Sequence, residues 1–273
     1  MRLDDPDDRR RLLEGLAEAA LAAGREINLI FEAGFAIEIK PDDSPVTAAD
    51  RAGEAAILAA LRILAPSVPV VAEEEVSEGR IPEVRDSFFL VDALDGTREF
   101  VKRGSDFTVN IGLIESGRPT MGVVYAPRLD RMFAGDATLG TAWRRDGDLG
   151  ERIALRIRAG QTPPTAVASR SHITPELATY LDHIGAGERV NIGSSLKFAL
   201  LANGEADVYP RPSPTMEWDT AAGHAVLLAA GGKVFGTDGA PLGYAKSDFF
   251  NPGFVAVGDF DPPPIGPFMG RTH

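Results

Sequence analysis

The most informative segment of the chain is an apolar run, Phe88 to Leu94, that contains one aspartate and is followed by a second. Asp92 and Asp95 are three residues apart, and Gly96 after them permits a sharp turn. Two carboxylates placed in this way can converge on a hard cation such as Mg²⁺, at distances of about 2.0–2.1 Å. An Asp-Gly turn with an incidental second aspartate is the simpler interpretation, but burying two carboxylates without a cation is costly. The backbone N–H groups after Gly96 are expected to open a helix and point at a phosphate.

Acidic residues also follow two other predicted elements. Glu73, Glu74 and Glu75 end a short buried strand, with a polar loop predicted over 76–86, and a solvated acidic loop is their alternative interpretation. Asp219 lies at the start of a predicted helix, where an N-terminal cap is the alternative. The chain has no cysteine and only four histidines, which excludes thiolate sites and leaves little room for a histidine site. Any metal must therefore be held by oxygen ligands, as Mg²⁺, Mn²⁺ and Ca²⁺ are.

Composition narrows the classes of function. The chain has 273 residues, enough for a full hydrophobic core, and 28 Lys+Arg against 40 Asp+Glu give a net charge of −12. An acidic surface repels phosphate backbones, which argues against binding of nucleic-acid polymers and anionic membranes. No stretch approaches the ~20 apolar residues of a membrane helix, so no integral membrane segment is expected. The acidic N-terminus lacks a signal-peptide pattern, which predicts a cytoplasmic protein, with peripheral association at the inner membrane face as a second option.

Hydrophobic spacing predicts an α/β fold in two parts that form one compact catalytic unit. Residues 1–160 are predicted to form an α+β part, with a helix over about 6–33, a second from Thr47 to Pro66, and then a meander. Residues 161–273 alternate strands and helices, which predicts an α/β part, and the boundary is placed in the charged segment 146–163. The strands predicted for the first part lie at 68–71, 88–94, 107–115, 119–127, 130–135 and 141–145.

The three acidic segments together resemble the lithium-sensitive, magnesium-dependent phosphomonoesterases of the inositol monophosphatase superfamily. The resemblance covers nearly the whole chain, in the same order, and implies a layered αβαβα sandwich. Ala93 stands where proline is usual in that family, which makes the turn less rigid. The matching segments are Ala72-Glu73-Glu74, Asp92-Ala93-Leu94-Asp95-Gly96-Thr97 and Trp218-Asp219-Thr220-Ala221-Ala222-Gly223.

This resemblance implies a site with two or three Mg²⁺ ions. Such ions would neutralise the phosphate and lower the pKa of a bound water, so that no protein nucleophile is needed. The implied ligands are Glu73, Asp92 and the Leu94 carbonyl for one ion, and Asp92, Asp95 and Asp219 for a second.

The resemblance also implies three catalytic residues besides the ligands. Asp50 works with Thr97 to orient the attacking water, and Glu74 helps to position or activate it. Thr47 and Asp50 have the spacing of a helix capping box as well, and both roles can hold together.

Segments of the second half resemble, within that superfamily, the 3′(2′),5′-bisphosphate nucleotidases of the CysQ type. A second phosphate, away from the metals, needs its own cations and donors. The segments are Ser169-Arg170-Ser171-His172, Gly193-Ser194-Ser195-Leu196-Lys197-Phe198, Tyr209-Pro210-Arg211, Thr108-Val109-Asn110-Ile111 and Asn251-Pro252-Gly253-Phe254. The implied substrate contacts are Gly96, Thr97, His172, Ser194, Lys197, Arg211 and Asp219.

Four of those contacts have structural alternatives. Lys197 could be a solvated surface lysine, and His172 a surface or capping residue. Arg211 could pair with Glu217, and Ser194 could merely cap a helix.

The resemblance implies hydrolysis of the 3′-phosphate of adenosine 3′,5′-bisphosphate to AMP and phosphate, linked to sulfate assimilation. An inositol monophosphatase or another sugar-phosphate phosphatase with the same metals is the nearest alternative. A regulatory phosphate-binding protein is the alternative outside enzymes. The assembly state is left open between a monomer and a homodimer.

Overall fold

A computed structural model describes residues 2–40, 45–168 and 174–270 of the chain. His172, one of the predicted substrate contacts, lies outside these residues. Within the described ranges, no helix combines the length and the apolar character needed to cross a membrane.

Two amphipathic helices begin the fold where the spacing predicted them. Helix α1 spans Pro6–Ala33 and starts at Asp5, whose side chain accepts backbone N–H groups of the first turn. Helix α2 spans Ala48–Leu64, and the capping box of Thr47 and Asp50 is formed at its start. Strand β1 (Ile37–Ile39) pairs antiparallel with β2 (Pro45–Thr47), and β2 leads directly into α2.

A seven-stranded sheet follows in the order β3-β4-β5-β6-β7-β8-β9. Strands β3 and β4 are parallel, and the later neighbours pair antiparallel, which confirms the predicted meander. Strand β9 lies in the segment that we predicted as a connection; it has three exposed residues, so no alternating burial marks it in the sequence. The strands are β3 (Val70–Ala72), β4 (Ser87–Asp95), β5 (Thr108–Glu115), β6 (Arg118–Ala126), β7 (Arg131–Asp136), β8 (Thr141–Asp146) and β9 (Arg152–Ala154).

A short helix follows each of the first two strands of this sheet. Helix α3 (Glu73–Ser77) follows β3 directly, so the three glutamates begin a helix that was not predicted, and the predicted loop starts at residue 78 rather than 76. Helix α4 (Thr97–Val101) follows β4, where a helix was expected after Gly96. The error at α3 has a physical reason: its first N–H groups are capped by a side chain from α2, which no local pattern announces.

The second half forms a five-stranded sheet in the order β11-β10-β12-β16-β14. Strand β10 is parallel to both of its neighbours, and β16 pairs antiparallel with β12 and β14. A separate two-stranded pair joins β13 to β15. The strands are β10 (Ala166–Ala168), β11 (Arg189–Asn191), β12 (Val208–Arg211), β13 (Thr215–Met216), β14 (Lys233–Phe235), β15 (Phe250–Asn251) and β16 (Phe254–Val257), and the helices are α5 (Pro175–His183), α6 (Leu196–Ala202) and α7 (Ala221–Ala229).

The layers stack as the predicted αβαβα sandwich. Helices α1 and α2 cover one face of the large sheet. Helices α6 and α7 share a core with its other face and with the small sheet, whose outer face is covered by α5. Helix α7 lies so close to β6 that a Cβ atom at Gly122 would overlap the backbone of Ala222. This close approach brings the segment before α7 to the end of β4.

Candidate active site

The end of β4 presents two aspartates at a break in the sheet. Asp92 pairs with Asn110 of β5 and Asp95 with Thr108, and the register shifts between the two pairs. Gly96 then adopts a φ of 99°, in the left-handed region that favours glycine. The local sequence therefore folds as expected, because this turn sends the chain from the strand directly into α4.

Three carboxylates meet at this point from three separate segments. One oxygen each of Glu73, Asp92 and Asp219 lies within 4.8 Å of the other two. Glu73 is the first residue of α3, Asp92 lies in β4, and Asp219 precedes α7. The structure thus brings together three of the predicted metal ligands, which are 19 or more positions apart in the chain.

Hydrogen bonds orient the carboxylates of this trio. The N–H of Leu94 donates to Oδ1 of Asp92 at 2.8 Å. The N–H of Met216 donates to Oδ2 of Asp219 at 2.9 Å, and the Thr215 hydroxyl donates to the same oxygen. Asp219 is therefore not the side-chain cap of α7, whose N-terminal cap position is occupied by Thr220.

The electrostatics of the trio fit a cation. Burial raises the pKa of Glu73 to about 8, and the nearby charge of Asp219 adds to the effect. Burial, followed by the charges of Glu73, Asp95 and Asp219, raises the pKa of Asp92 well above its usual range. Burial and the charge of Asp95 raise the pKa of Asp219 in the same direction. Like charges this close are relieved by a divalent cation, so the donor set has the chemistry of a hard-metal site.

Asp95 and Leu94 are predicted ligands outside this trio. Oδ2 of Asp95 accepts the Ser195 hydroxyl at 3.0 Å and faces the Asn110 amide at 3.4 Å. The carbonyl of Leu94 lies 3.1 Å from the Thr97 hydroxyl. Both groups stand beside the trio, and both are already held by neighbouring polar side chains.

The predicted pair of Asp50 and Thr97 is present. The Thr97 hydroxyl lies 3.1 Å from Oδ1 of Asp50, while Oδ2 of Asp50 accepts the N–H and hydroxyl of Thr47 at 2.7 and 2.8 Å. The capping box and the contact with Thr97 therefore coexist. Burial raises the pKa of Asp50, although the Thr47 bonds oppose that effect.

Lys40 is a site residue that sequence reasoning missed. Its ammonium donates to Glu73 at 2.8 Å and to the buried Glu74 at 2.6 Å. Burial lowers the pKa of Lys40, but the two carboxylates outweigh it and hold the pKa above its usual value. The sequence carried one signal, since Lys40 is one of only five lysines.

Cationic side chains line the other wall of the site. A cavity of about 140 Å³ is lined by Asp95 and Asp219 and by Ser194, Lys197 and Arg211. We call Asp95 and the trio of Glu73, Asp92 and Asp219 the carboxylate wall, and Ser194, Lys197 and Arg211 the cationic wall. Gly96 lines it as well. A second cavity of about 300 Å³ adjoins it, sharing Arg98, Tyr209 and Arg211 and adding Leu177 and Pro212 among its lining.

The structural alternatives for Lys197 and Arg211 do not hold. Lys197 is 6% exposed and donates to the Ser194 carbonyl at 2.6 Å, so it is not a solvated lysine. Glu217 pairs with Lys246 at 2.9 Å rather than with Arg211. Ser194 has a φ of 50° and lines the cavity, and its hydroxyl also accepts the N–H of Leu196, the first residue of α6, at 3.5 Å, so the capping contact is present as well.

Several supporting residues were also missed. Asn110 links Asp95 to Ser195, with its amide 3.0 Å from the Ser195 hydroxyl. Thr215 holds Asp219, and Glu54 of α2 accepts N–H groups of α3. Asn110 lies within a segment quoted for the resemblance, whereas no local signal marks the others.

The sequence is similar to that of a known family of phosphatases and to individual members of it. Residues 8–256 match the model of the inositol monophosphatase family. The 3′(2′),5′-bisphosphate nucleotidase CysQ of Salmonella typhimurium is 46% identical over 246 residues, covering 89% of this chain and 98% of that protein. The CysQ of Escherichia coli K12 is 44% identical over 246 residues, with the same coverage of 89% and 98%.

Solved structures agree with these sequence matches. The crystal structure of CysQ from Bacteroides thetaiotaomicron has a TM-score of 0.76 and 38% identity, covering 91% of this chain and 97% of that one. An inositol monophosphatase from Anabaena has a TM-score of 0.70 and 28% identity, covering 95% and 94%. With its αβαβα layers and its carboxylate trio in place, the chain belongs to the inositol monophosphatase family.

Proposed function

We propose that this protein is a Mg²⁺-dependent phosphomonoesterase that hydrolyses the 3′-phosphate of adenosine 3′,5′-bisphosphate to AMP and phosphate. The observation that carries the proposal is one cavity lined both by the carboxylates of Asp95 and Asp219 and by the cationic side chains of Arg211 and the buried Lys197. The nucleotidases named above, at 44–46% identity, support the choice of substrate. The link to sulfate assimilation is part of the same proposal.

The carboxylate wall would hold the metal. Glu73, Asp92 and Asp219 already converge, and Asp95 with the Leu94 carbonyl stands next to them. We assign these five groups to two or three Mg²⁺ ions, because oxygen-only donor sets suit hard cations. Bound there, the ions would neutralise phosphate charge and lower the pKa of a coordinated water.

The protein's own groups would orient the attacking water. Thr97 lies within hydrogen-bonding distance of both Asp50 and the Leu94 carbonyl, so its hydroxyl is fixed beside the carboxylates. We assign to Asp50 and Thr97 the orientation of the water, and to Glu74 its activation. Lys40 fixes Glu74 and Glu73 in one cluster, which keeps the Glu74 carboxylate at the site.

The cationic wall would hold the second phosphate and the sugar. Lys197 is buried, and the buried Nε of Arg211 has no hydrogen-bond partner among the described residues. A buried donor without a partner costs free energy, so an anion placed there is favoured. Ser194, Gly96, Thr97 and Asp219 complete the proposed contacts, together with His172, which lies outside the described ranges. The adjoining cavity has room for the nucleoside.

Steady-state kinetics test this proposal. We expect kcat/KM for adenosine 3′,5′-bisphosphate to exceed that for inositol 1-phosphate by at least ~10²-fold, because only the nucleotide has a second phosphate that can contact the cationic wall. Activity should disappear with EDTA and return with Mg²⁺. A preference for the inositol ester would assign the site to an inositol or sugar-phosphate phosphatase. If neither ester releases phosphate, the result would favour a regulatory phosphate-binding protein.

Assembly and location belong to the same proposal at a coarser level. We propose that the protein acts in the cytoplasm, and the assembly state stays open between a monomer and a homodimer. Light scattering on the purified protein decides between the two, because a monomer has a mass of 29.1 kDa. Cell fractionation tests the location, and activity recovered in the membrane fraction would favour peripheral attachment.

A further inference from the structure

Glu54 is a buried carboxylate to which the proposed reaction gives no role. It lies in α2, one helical turn after Asp50, and is 4% exposed. Its Oε2 accepts the N–H of Glu74 at 2.8 Å, and its Oε1 accepts the N–H of Glu75 at 3.1 Å. Both carboxylate oxygens of Glu54 are therefore used on the first turn of α3.

Helix α3 depends on such a partner. The first N–H groups of a helix have no acceptors within it. The residue at the N-terminal cap position of α3 is Ala72, which makes no side-chain cap. The helix has only five residues, too few to be stable alone. Glu54 thus provides from α2 the cap that the local sequence of α3 lacks.

The contact of Glu54 with α3 matters because α3 contains two carboxylates of the candidate site. Glu73, the first residue of α3, belongs to the carboxylate trio, and Glu74 follows it. A change in the start or direction of α3 would move both carboxylates. Asp50 and Glu54 lie on the same face of α2, where residues four apart are neighbours. Asp50 contacts Thr97 of α4, so one helix face holds both short helices of the site.

We propose that Glu54 is a positioning residue that fixes α3 and thereby sets the affinity of the carboxylate trio for divalent cations; this inference rests on the proposed function. Placing the carboxylate of Glu54 beside those of Glu74 and Glu75 costs free energy, because like charges repel. This cost indicates that the contact of Glu54 with the two N–H groups is needed. A carboxylate can accept both N–H groups at once, whereas an amide presents one oxygen and one NH₂ group. Glu54→Gln therefore keeps the size of the side chain and removes one of the two contacts.

The test measures cation binding directly. Metal-free full-length protein is titrated with Mn²⁺, and bound ion is followed by electron paramagnetic resonance. Loss of a supporting contact around a metal site commonly weakens binding 10–100-fold, so we expect Kd for Mn²⁺ to rise about 10-fold or more in Glu54→Gln. Glu54→Ala, which removes both acceptors, is expected to weaken binding further. In activity assays the Mg²⁺ needed for half-maximal rate should rise, while KM for the nucleotide at saturating Mg²⁺ stays near wild type.

Ile57→Val is the matched control. Ile57 is buried in the core on α2, and removing one methyl group lowers stability without touching the cap of α3. Its Mn²⁺ affinity should equal that of wild type even if its Tm falls as much as that of Glu54→Gln. Unchanged Mn²⁺ affinity in Glu54→Gln would overturn the inference, whatever happens to its Tm. If the wild-type protein itself binds no Mn²⁺, the proposed metal site fails instead, so the two failures are distinguishable.

Discussion

The carboxylate wall and the cationic wall of the site are built in opposite ways. On the carboxylate wall, Asp92 and Asp219 each accept at least one backbone N–H, and Asp95 accepts a hydroxyl. On the cationic wall, Lys197 and Nη2 of Arg211 each donate to one carbonyl, and Nε of Arg211 has no partner in the described part of the chain. The protein orients the side chains of the carboxylate wall before any ligand binds. The cationic wall keeps hydrogen-bond donors available for a ligand. The difference fits resident cations on the first wall and a transient anion on the second.

The largest expected effect comes from neutralising one carboxylate. Asp95→Asn keeps the shape of the side chain and removes a charge next to Asp92 and Asp219. We expect kcat to fall by more than ~10²-fold, beyond the loss typical of a supporting residue, with an unchanged circular dichroism spectrum. Activity within a few-fold of wild type would refute the assignment of Asp95 to the metal site.

A smaller and more selective effect is expected on the cationic wall. Lys197→Ala removes a charge-assisted contact with the second phosphate, each such contact being worth ~1.5–3 kcal/mol. We therefore expect kcat/KM for adenosine 3′,5′-bisphosphate to fall about 10–100-fold, while that for a simple monoester falls less than ~3-fold. Lys233→Ala, at an exposed position of β14, is the control and should change neither. Equal losses on both substrates would remove the distinction between the two walls.

Removing the hydroxyl group beside Asp95 should have a smaller effect than the two changes above, and it should affect metal binding alone. Ser195→Ala removes a hydroxyl that lies 3.0 Å from Oδ2 of Asp95 and 2.8 Å from the carbonyl oxygen of Asp219, and whose single proton is shared between these two acceptors. We expect about 10-fold weaker Mg²⁺ activation and a nearly normal rate at saturating Mg²⁺. Isothermal titration with Mg²⁺ measures this, and combining the change with Asp95→Asn should add almost nothing. Additive effects in the double variant would show that Ser195 acts elsewhere.

The smallest expected effect is a pH-dependent change in stability. Burial raises the pKa of Glu73 to about 8, from an ordinary value of 4.5. Between those values the folded metal-free protein binds a proton that the unfolded chain does not, so stability falls as pH rises through this window. We expect Tm of the metal-free protein to drop by at least ~2 °C between pH 6.5 and 8.5, and saturating Mg²⁺ to abolish the drop. Calorimetry showing the same slope with and without Mg²⁺ would contradict a cation at Glu73.

Local pattern sufficed for much of the fold. The buried stripe of α1, the capping box of α2 and the turn at Gly96 depend on residues within a few positions of one another, so spacing predicts them. Strand β9 and the pair β13–β15 are two or three residues long, too short to show a period. Helix α3 was missed because its cap comes from Glu54, 20 positions earlier.

The candidate ligands were proposed from the sequence because acidic residues stand at the ends of predicted elements, and the family resemblance then assigned them to the ions. The residues that hold these ligands in place were not found from the sequence. The contact of Lys40 with Glu74 joins residues 34 positions apart, and that of Asn110 with Ser195 joins residues 85 apart. The sequence by itself determined which side chains could bind cations, because residue type and local spacing set that chemistry. Only the tertiary structure decided which of them meet, which are already satisfied and which donors stay open to a ligand, because those properties depend on packing α2, β4 and α7 around one point.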